Sequence, residues 1–128
     1  MNTLLLLACT LLVPFNAVER PNQLDDVVAA LSIGDAHTVS TFFDNTVELV
    51  LPGVDDILPK AKAKKKLEAF FVTNRAKSFV RVHGGTSTGE DGAYIIGTLT
   101  TDAGNFRVYI YGRGVGTPIV MELRIEES

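Results

Sequence analysis

Few side chains in this sequence combine a reactive type with a useful spacing. His83 stands in SFVRVHGG (78–85), where alternation sets Phe79, Arg81 and His83 on one side of a strand and Val80 and Val82 on the other. If the first set faces inward, the imidazole sits at a pocket mouth near neutral pKa, as a general acid or base requires. The competing reading is a partly exposed strand histidine. His37 falls away from the apolar stripe of its helix, and two distant histidines without clustered carboxylates give no metal-ligand spacing. KAKAKKK (60–66) packs five lysines into seven residues, a density that acidic lipid or nucleic acid would attract. The chain's formal charge is −3 and no aromatic stacking platform adjoins the lysines, so a solvated helix face is expected and nucleic acid is not. GRGVGTP (112–118) joins two strands instead of opening a helix, which removes the phosphate-cradling context. No segment points to a cofactor.

The densest polar and aromatic pattern is GTLTTDAGNFRVYIYGRG (97–114), two alternating strands around a tight turn. Arg107, Tyr109 and Tyr111 fall in a row on one side, with Tyr94, Ile96 and Val120 expected on the same outer face and Glu122 and Arg124 beside them. Tyrosine and arginine are enriched at protein interfaces, and a standard interface covers ~800 Å² per partner. A homodimer formed through this face is the expectation. The alternative is cross-strand packing that stabilises the sheet alone.

These residues must be positioned by one domain, since 128 residues leave little room for a second. The N-terminus differs from the rest: TLLLLACTLLVPF (3–15) carries no charged side chain. It is too short for a bilayer, which needs ~20 apolar residues, but suits the h-region of a secretory signal peptide over 1–17, cut after Ala17. No Lys or Arg precedes the run, and Phe15 is a poor match to the small-residue cleavage pattern. The expected product is a domain over 18–128, secreted, periplasmic or associated with the cell surface, without a transmembrane segment. LLAC (6–9) resembles the lipobox of bacterial lipoproteins, which would make Cys9 a lipidation site. Cys9 is the only cysteine, so once this segment is removed neither a disulfide framework nor thiol chemistry remains.

Asn22 as N-cap, Asp25 and Asp26 in the first turn and Gly34 as terminator predict a helix with Leu24, Val27, Val28 and Leu31 on its buried stripe. Asp35 caps a second short helix whose inward face is Val39, Phe42 and Phe43. Asp44-Asn45 reads as a turn, and Val47, Leu49 and Leu51 alternate with Glu48 and Val50 until Pro52-Gly53 stops the strand. A loop holding Asp55 and Asp56 leads to Pro59 in the first turn of a third helix, with Ala63, Leu67, Phe70 and Phe71 inward and Lys62, Lys65 and Lys66 opposite. Four strands follow. With Ala103-Gly104 as the hairpin loop, Leu99 pairs with Val108, Gly97 with Ile110 and Thr98 with Tyr109, although Ala103 suits a type I′ turn poorly. In the last strand Ile119, Met121, Leu123 and Ile125 face one way, and Val120, Glu122, Arg124 and Glu126 the other. The layout is α+β, with helices on one face of a mainly antiparallel sheet.

LSIGDAHTVSTFFDNTVELVLPG (31–53) resembles the opening of the nuclear transport factor 2-like superfamily, a cystatin-like α+β cone that includes ketosteroid isomerase. More narrowly, FFDNTVEL (42–49), KKKLEAFFVTN (64–74), KSFVRVHGG (77–85), YIIGTLTT (94–101), FRVYIYG (106–112) and ELRIE (122–126) are similar to domain-of-unknown-function family 4783, small secreted proteins of Bacteroidota. Leu58-Pro59-Lys60 departs from that family's aromatic-Ser-Lys before the third helix. The resemblance implies three N-terminal helices closing the concave side of a curved sheet around a pocket. Phe42, Phe43, Leu49, Phe70, Phe71, Leu99, Val108 and Met121 are its expected lining. An isomerase of that superfamily needs a carboxylate base among apolar walls, and the inward positions supply none. The leading expectation is therefore a non-catalytic binding module for a small apolar ligand. The alternatives are a homodimeric interaction protein working through its sheet face and a ketosteroid-isomerase-like enzyme using His83.

Overall fold

A computed structural model describes residues 21–87, 91–114 and 116–128. The expected leader, its cut after Ala17 and Cys9 lie outside the described residues. Helix α1 (Asp25–Ser32) is entered through a reciprocal clasp: Asn22 Oδ1 accepts from the Leu24 N–H at 2.9 Å, and Asp25 Oδ2 accepts from the Asn22 N–H at 2.9 Å. Leu24 therefore stands at the N-cap position assigned above to Asn22, which acts two residues earlier. Leu24, Val27 and Leu31 are fully buried. Gly34 ends the helix at φ 71°, where glycine carries no steric penalty. Helix α2 (Ala36–Thr41) is capped by Asp35, whose carboxylate accepts from Thr38 N at 3.0 Å and from its hydroxyl at 2.6 Å. These hydrogen bonds hold the Asp35 carboxyl below its ordinary pKa.

Strands β1 (Phe43–Leu51) and β2 (Val54–Pro59) form a hairpin around Pro52-Gly53, with Leu51 opposite Val54 and Thr46 opposite Pro59. Two expectations fail here. Asp44-Asn45 is not a turn but the irregular start of β1, and the segment around Asp55 and Asp56 is a strand rather than a loop. Acidic residues are tolerated in β2 because it is an edge strand, where charge blocks unwanted strand addition. Helix α3 (Lys60–Thr73) follows, buries Ala63, Leu67 and Phe70, and leads into β3 (Ala76–Ser87), β4 (Gly92–Thr101), β5 (Gly104–Arg113) and β6 (Ile119–Glu127). Only α1 and α2 precede the sheet; α3 interrupts it after β2.

The result is α+β, with a curved, mixed six-stranded sheet in the order β2-β1-β6-β5-β4-β3. All its pairings are antiparallel except β1 with β6, which run parallel. The β4–β5 loop is Asp102-Ala103, so Leu99 faces Phe106, Gly97 faces Val108 and Thr98 faces Arg107. This register is two residues from the expected one, and a two-residue slip leaves every side chain on its original face. Thr101 fixes the turn: its hydroxyl donates to Gly104 O at 2.8 Å and accepts from Ala103 N at 3.1 Å. Asp102 is also tied to the α3–β3 junction, with its N–H donating to Arg75 O and its carboxylate accepting from Arg75 N, both at 3.0 Å. Positive φ falls on Gly104 (130°), not on Ala103, which removes the misfit of an alanine in a type I′ turn.

A single core joins the helices to one face of the sheet. Leu49, Ile95, Leu99, Val108, Ile110, Leu123 and Ile125 are all 0% exposed, packed with Leu31, Val39 and Leu67 from the helices. Phe70 meets Phe71 and Phe106 edge to face, with ring centroids 5.4 and 5.1 Å apart.

Candidate functional site on the outer face of the sheet

The helices leave the other face of the sheet uncovered, and strand registers place its side chains in rows. One row crosses all six strands as Ile57, Glu48, Glu122, Tyr111, Tyr94 and Gly85. The next runs Asp55, Val50, Arg124, Tyr109, Ile96 and His83. A third carries Glu126, Arg107, Thr98 and Val80. Carboxylates thus gather on the β2–β1–β6 half, and tyrosines with Arg107 and His83 on the β5–β4–β3 half. Tyr94, Tyr109, Tyr111 and Ile96 are half-buried, Arg107 is exposed, and Val80 is 61% exposed.

Three of the expected site residues, His83, Val120 and Met121, land elsewhere because of two bulges. The β3–β4 register shifts between Arg81 and His83, so Val82 takes up an extra position. Phe79 and Arg81 point toward the helices, where Arg81 lies 3.6 Å from Asp25, but His83 emerges on the outer face. There its Nε2 is 2.6 Å from the Tyr94 hydroxyl, and it takes no place at an interior pocket. Tyr94 in turn lies across Gly85; a Cβ at that position would meet its ring at 3.0 Å. The second bulge sits between Tyr111 and Gly112 opposite Met121. It reverses the parity at the start of β6, so Val120, expected at the interface, is fully buried, and Ile119 is exposed instead. Met121, expected in the pocket lining, is half-buried at the bulge.

The remaining expected lining residues pack together in the core. Leu49, Leu99 and Val108 are fully buried, Phe43 and Phe70 nearly so, and Phe42 and Phe71 are half-buried against the cluster. The recesses found among the described residues open on the surface: one over Arg107, Tyr109, Arg124 and Glu126, the others around the β1–β2 hairpin.

Electrostatics distinguish the outer face further. Arg124 is shared by three carboxylates, Glu48 and Glu122 at 3.6 Å and Glu126 at 3.5 Å, which leaves the cluster net anionic. Burial first, and then the adjacent Glu48, push the Glu122 carboxyl above its ordinary pKa against the pull of Arg124. Burial and then Glu122 likewise raise the Tyr109 hydroxyl. Arg107, directly across from Glu126, makes no ion pair among the described residues. Glu48, Val50, Asp55 and Ile57 were not singled out from the sequence. The parity of Glu48 and Val50 was legible, but their adjacency to β6 was not. Among the described residues no group of three or more His, Cys, Asp or Glu is placed to hold a metal ion, and no helix is long and apolar enough to cross a membrane.

The architecture is similar to that of nuclear transport factor 2-like proteins. An NTF2-like protein of unknown function from Cytophaga hutchinsonii superposes with a TM-score of 0.57, covering 83% of this chain and 87% of that one; at 8% identity the likeness concerns fold alone. The chain belongs to the Domain of unknown function (DUF4783) family, whose profile matches residues 24–126. It is 31% identical to a DUF4783 protein from Bacteroides fragilis, over 80% of this chain and 96% of that one, with a TM-score of 0.73. A DUF4783 protein from Bacteroides uniformis is 26% identical over 84% and 98%, with a TM-score of 0.75. No curated protein matches.

Proposed function

We propose that this domain is a secreted or periplasmic, non-catalytic interaction module that works as a homodimer through its outer sheet face. The observation that carries this reading is self-complementarity. A two-fold axis parallel to the strands, passing between β6 and β5, would lay the acidic half of one subunit on the aromatic half of the other. Every row then acquires a matching partner. Asp55 lies opposite His83 of the partner subunit, Val50 opposite Ile96, and Arg124 opposite the face of Tyr109, a cation–π arrangement. Glu122 and Glu48 reach the hydroxyls of Tyr111 and Tyr94 of the partner subunit, and Glu126 meets Arg107 of the partner subunit. Three tyrosines, each able to bury ~150–250 Å² when fully covered, supply much of the area a stable interface requires.

A small apolar ligand inside the cone is the weaker reading, because its expected lining residues form the packed core. An enzyme using His83 is weaker still, because the imidazole is on the outer face against Tyr94. Native mass spectrometry tests the proposal: a dimer is expected for the wild type. Glu126→Arg and Arg107→Glu should each give monomer, and the double exchange should restore the dimer. A wild-type monomer, or a dimer indifferent to both single exchanges, overturns it. A reproducible adduct on the folded protein would return weight to the ligand reading.

A further inference from the structure

On the opposite side of the molecule, helix α3 and the β1–β2 hairpin leave a groove that the dimer reading does not use. One recess of ≈ 510 Å³ is lined by Leu58, Lys62, Lys65, Lys66 and Ala69. A second, of ≈ 290 Å³, runs on from it past Leu51, Pro52, Val54, Phe70 and Thr73, and shares Lys66 and Ala69 with the first. Both are on the scale of small-molecule sites, about 300–1,000 Å³. From Lys62 to Thr73 the helix advances roughly 16 Å at about 1.5 Å per residue, so the two recesses make one continuous trough along α3.

Its chemistry is amphiphilic. The floor is Leu58, Val54, Leu51 and Phe70, with Ala69 as the small residue on the helix surface between them. Lysines add apolar wall as well as charge, because their methylene stems can lie along the groove while the ammonium groups stay in water. Of the lysines on α3, Lys64 is within 3.8 Å of Glu68. Lys62, Lys65 and Lys66 make no ion pair among the described residues; all three line the first recess, with Lys66 at its junction with the second. Three cations around the first recess of an apolar channel, in a chain whose formal charge is −3, form a site with a head and a tail.

We propose that this trough binds a fatty-acid anion, with its carboxylate among Lys62, Lys65 and Lys66 and its acyl chain running over Leu58 and Ala69 toward Phe70 and Pro52. One molecule would occupy it, because the trough has one cationic recess and a single lane between α3 and β2. The site is independent of the sheet face, so loss of dimer and loss of ligand are separate results.

The test titrates the ¹⁵N-labelled protein with monomeric laurate and follows amide chemical shifts. Saturable changes are expected at Leu58, Lys62, Lys66, Ala69 and Thr73, with dodecyltrimethylammonium causing none there. Reversing Lys62, Lys65 and Lys66 together to Glu should weaken laurate by about tenfold or more. Ala69→Trp should block it with all three lysines intact, which decides the matter even if the triple variant does not fold. Shifts elsewhere or none at all, an equal response to the cationic amphiphile, or undiminished binding by Ala69→Trp overturn the proposal. So does binding to phosphatidylglycerol vesicles without any response to laurate, since the lysines would then read a lipid surface and not one chain.

Discussion

Thr98 and Leu99 are neighbours in the chain and report opposite environments. Leu99, with Val108, Ile110, Leu123 and Ile125, belongs to a face that the helices seal completely. Thr98 belongs to a face where tyrosines lie half-buried, Arg107 makes no ion pair among the described residues and Arg124 is shared by three acids. Apart from Arg81 beside Asp25 and Thr101 at the β4–β5 turn, the sealed face is apolar, so its contribution is stability. The open face is divided into an acidic and an aromatic half, and that division is what a partner can recognise.

The contrast can be broken most severely from the sealed side. Leu123→Ala should lower the unfolding free energy by about 2–5 kcal/mol, read from urea denaturation, because it leaves a void amid rigid neighbours. Gly97→Ala comes next, at about 1–3 kcal/mol. A Cβ there would meet the Phe79 ring at 2.4 Å and the Val80 carbonyl oxygen at 2.7 Å. The same change in a Phe79→Ala background should cost less, since only the carbonyl remains in the way; equal costs would discount the ring. Tyr109→Ala probes the open face. If that face is bare, the loss should be only about 0.2–1 kcal/mol, the scale of a cross-strand pair. If a second subunit covers it, the loss grows and depends on protein concentration.

Glu122→Gln should give the smallest effect, and it depends on pH. The folded-state pKa of Glu122 is raised, so its ionised form disfavours folding above that pKa, and the cost is relieved as pH falls through it. The glutamine variant should therefore have the higher urea midpoint near neutral pH. The gap should close on acidification toward the ordinary glutamate pKa, about 4.3. An unchanged or lower midpoint near neutral pH would mean that the ion pair to Arg124 outweighs the burial and repulsion.

Much of this was legible in local sequence. Asp35 and Gly34 mark helix ends by their own chemistry, and the alternation in β4 and β5 assigns Leu99 and Val108 to one face and Tyr109 and Tyr111 to the other. Even the mistaken hairpin register kept those faces, because the error was an even number of residues. What local pattern could not reveal was whatever inserts a single residue or chooses a distant neighbour.

The sequence by itself determined side-chain parity, since strand alternation has period two and each residue carries it locally. Tertiary structure decided the exceptions. The bulges at Val82 and Met121 shift parity by one and exchange the fates of His83 and Val120. The parallel pairing of β1 with β6 brings Glu48 beside Glu122 and Arg124, and so creates the acidic half of the outer face. Neither is local: a bulge forms where the partner strand and the packed core impose it, and a strand's neighbour is chosen by closure of the whole sheet.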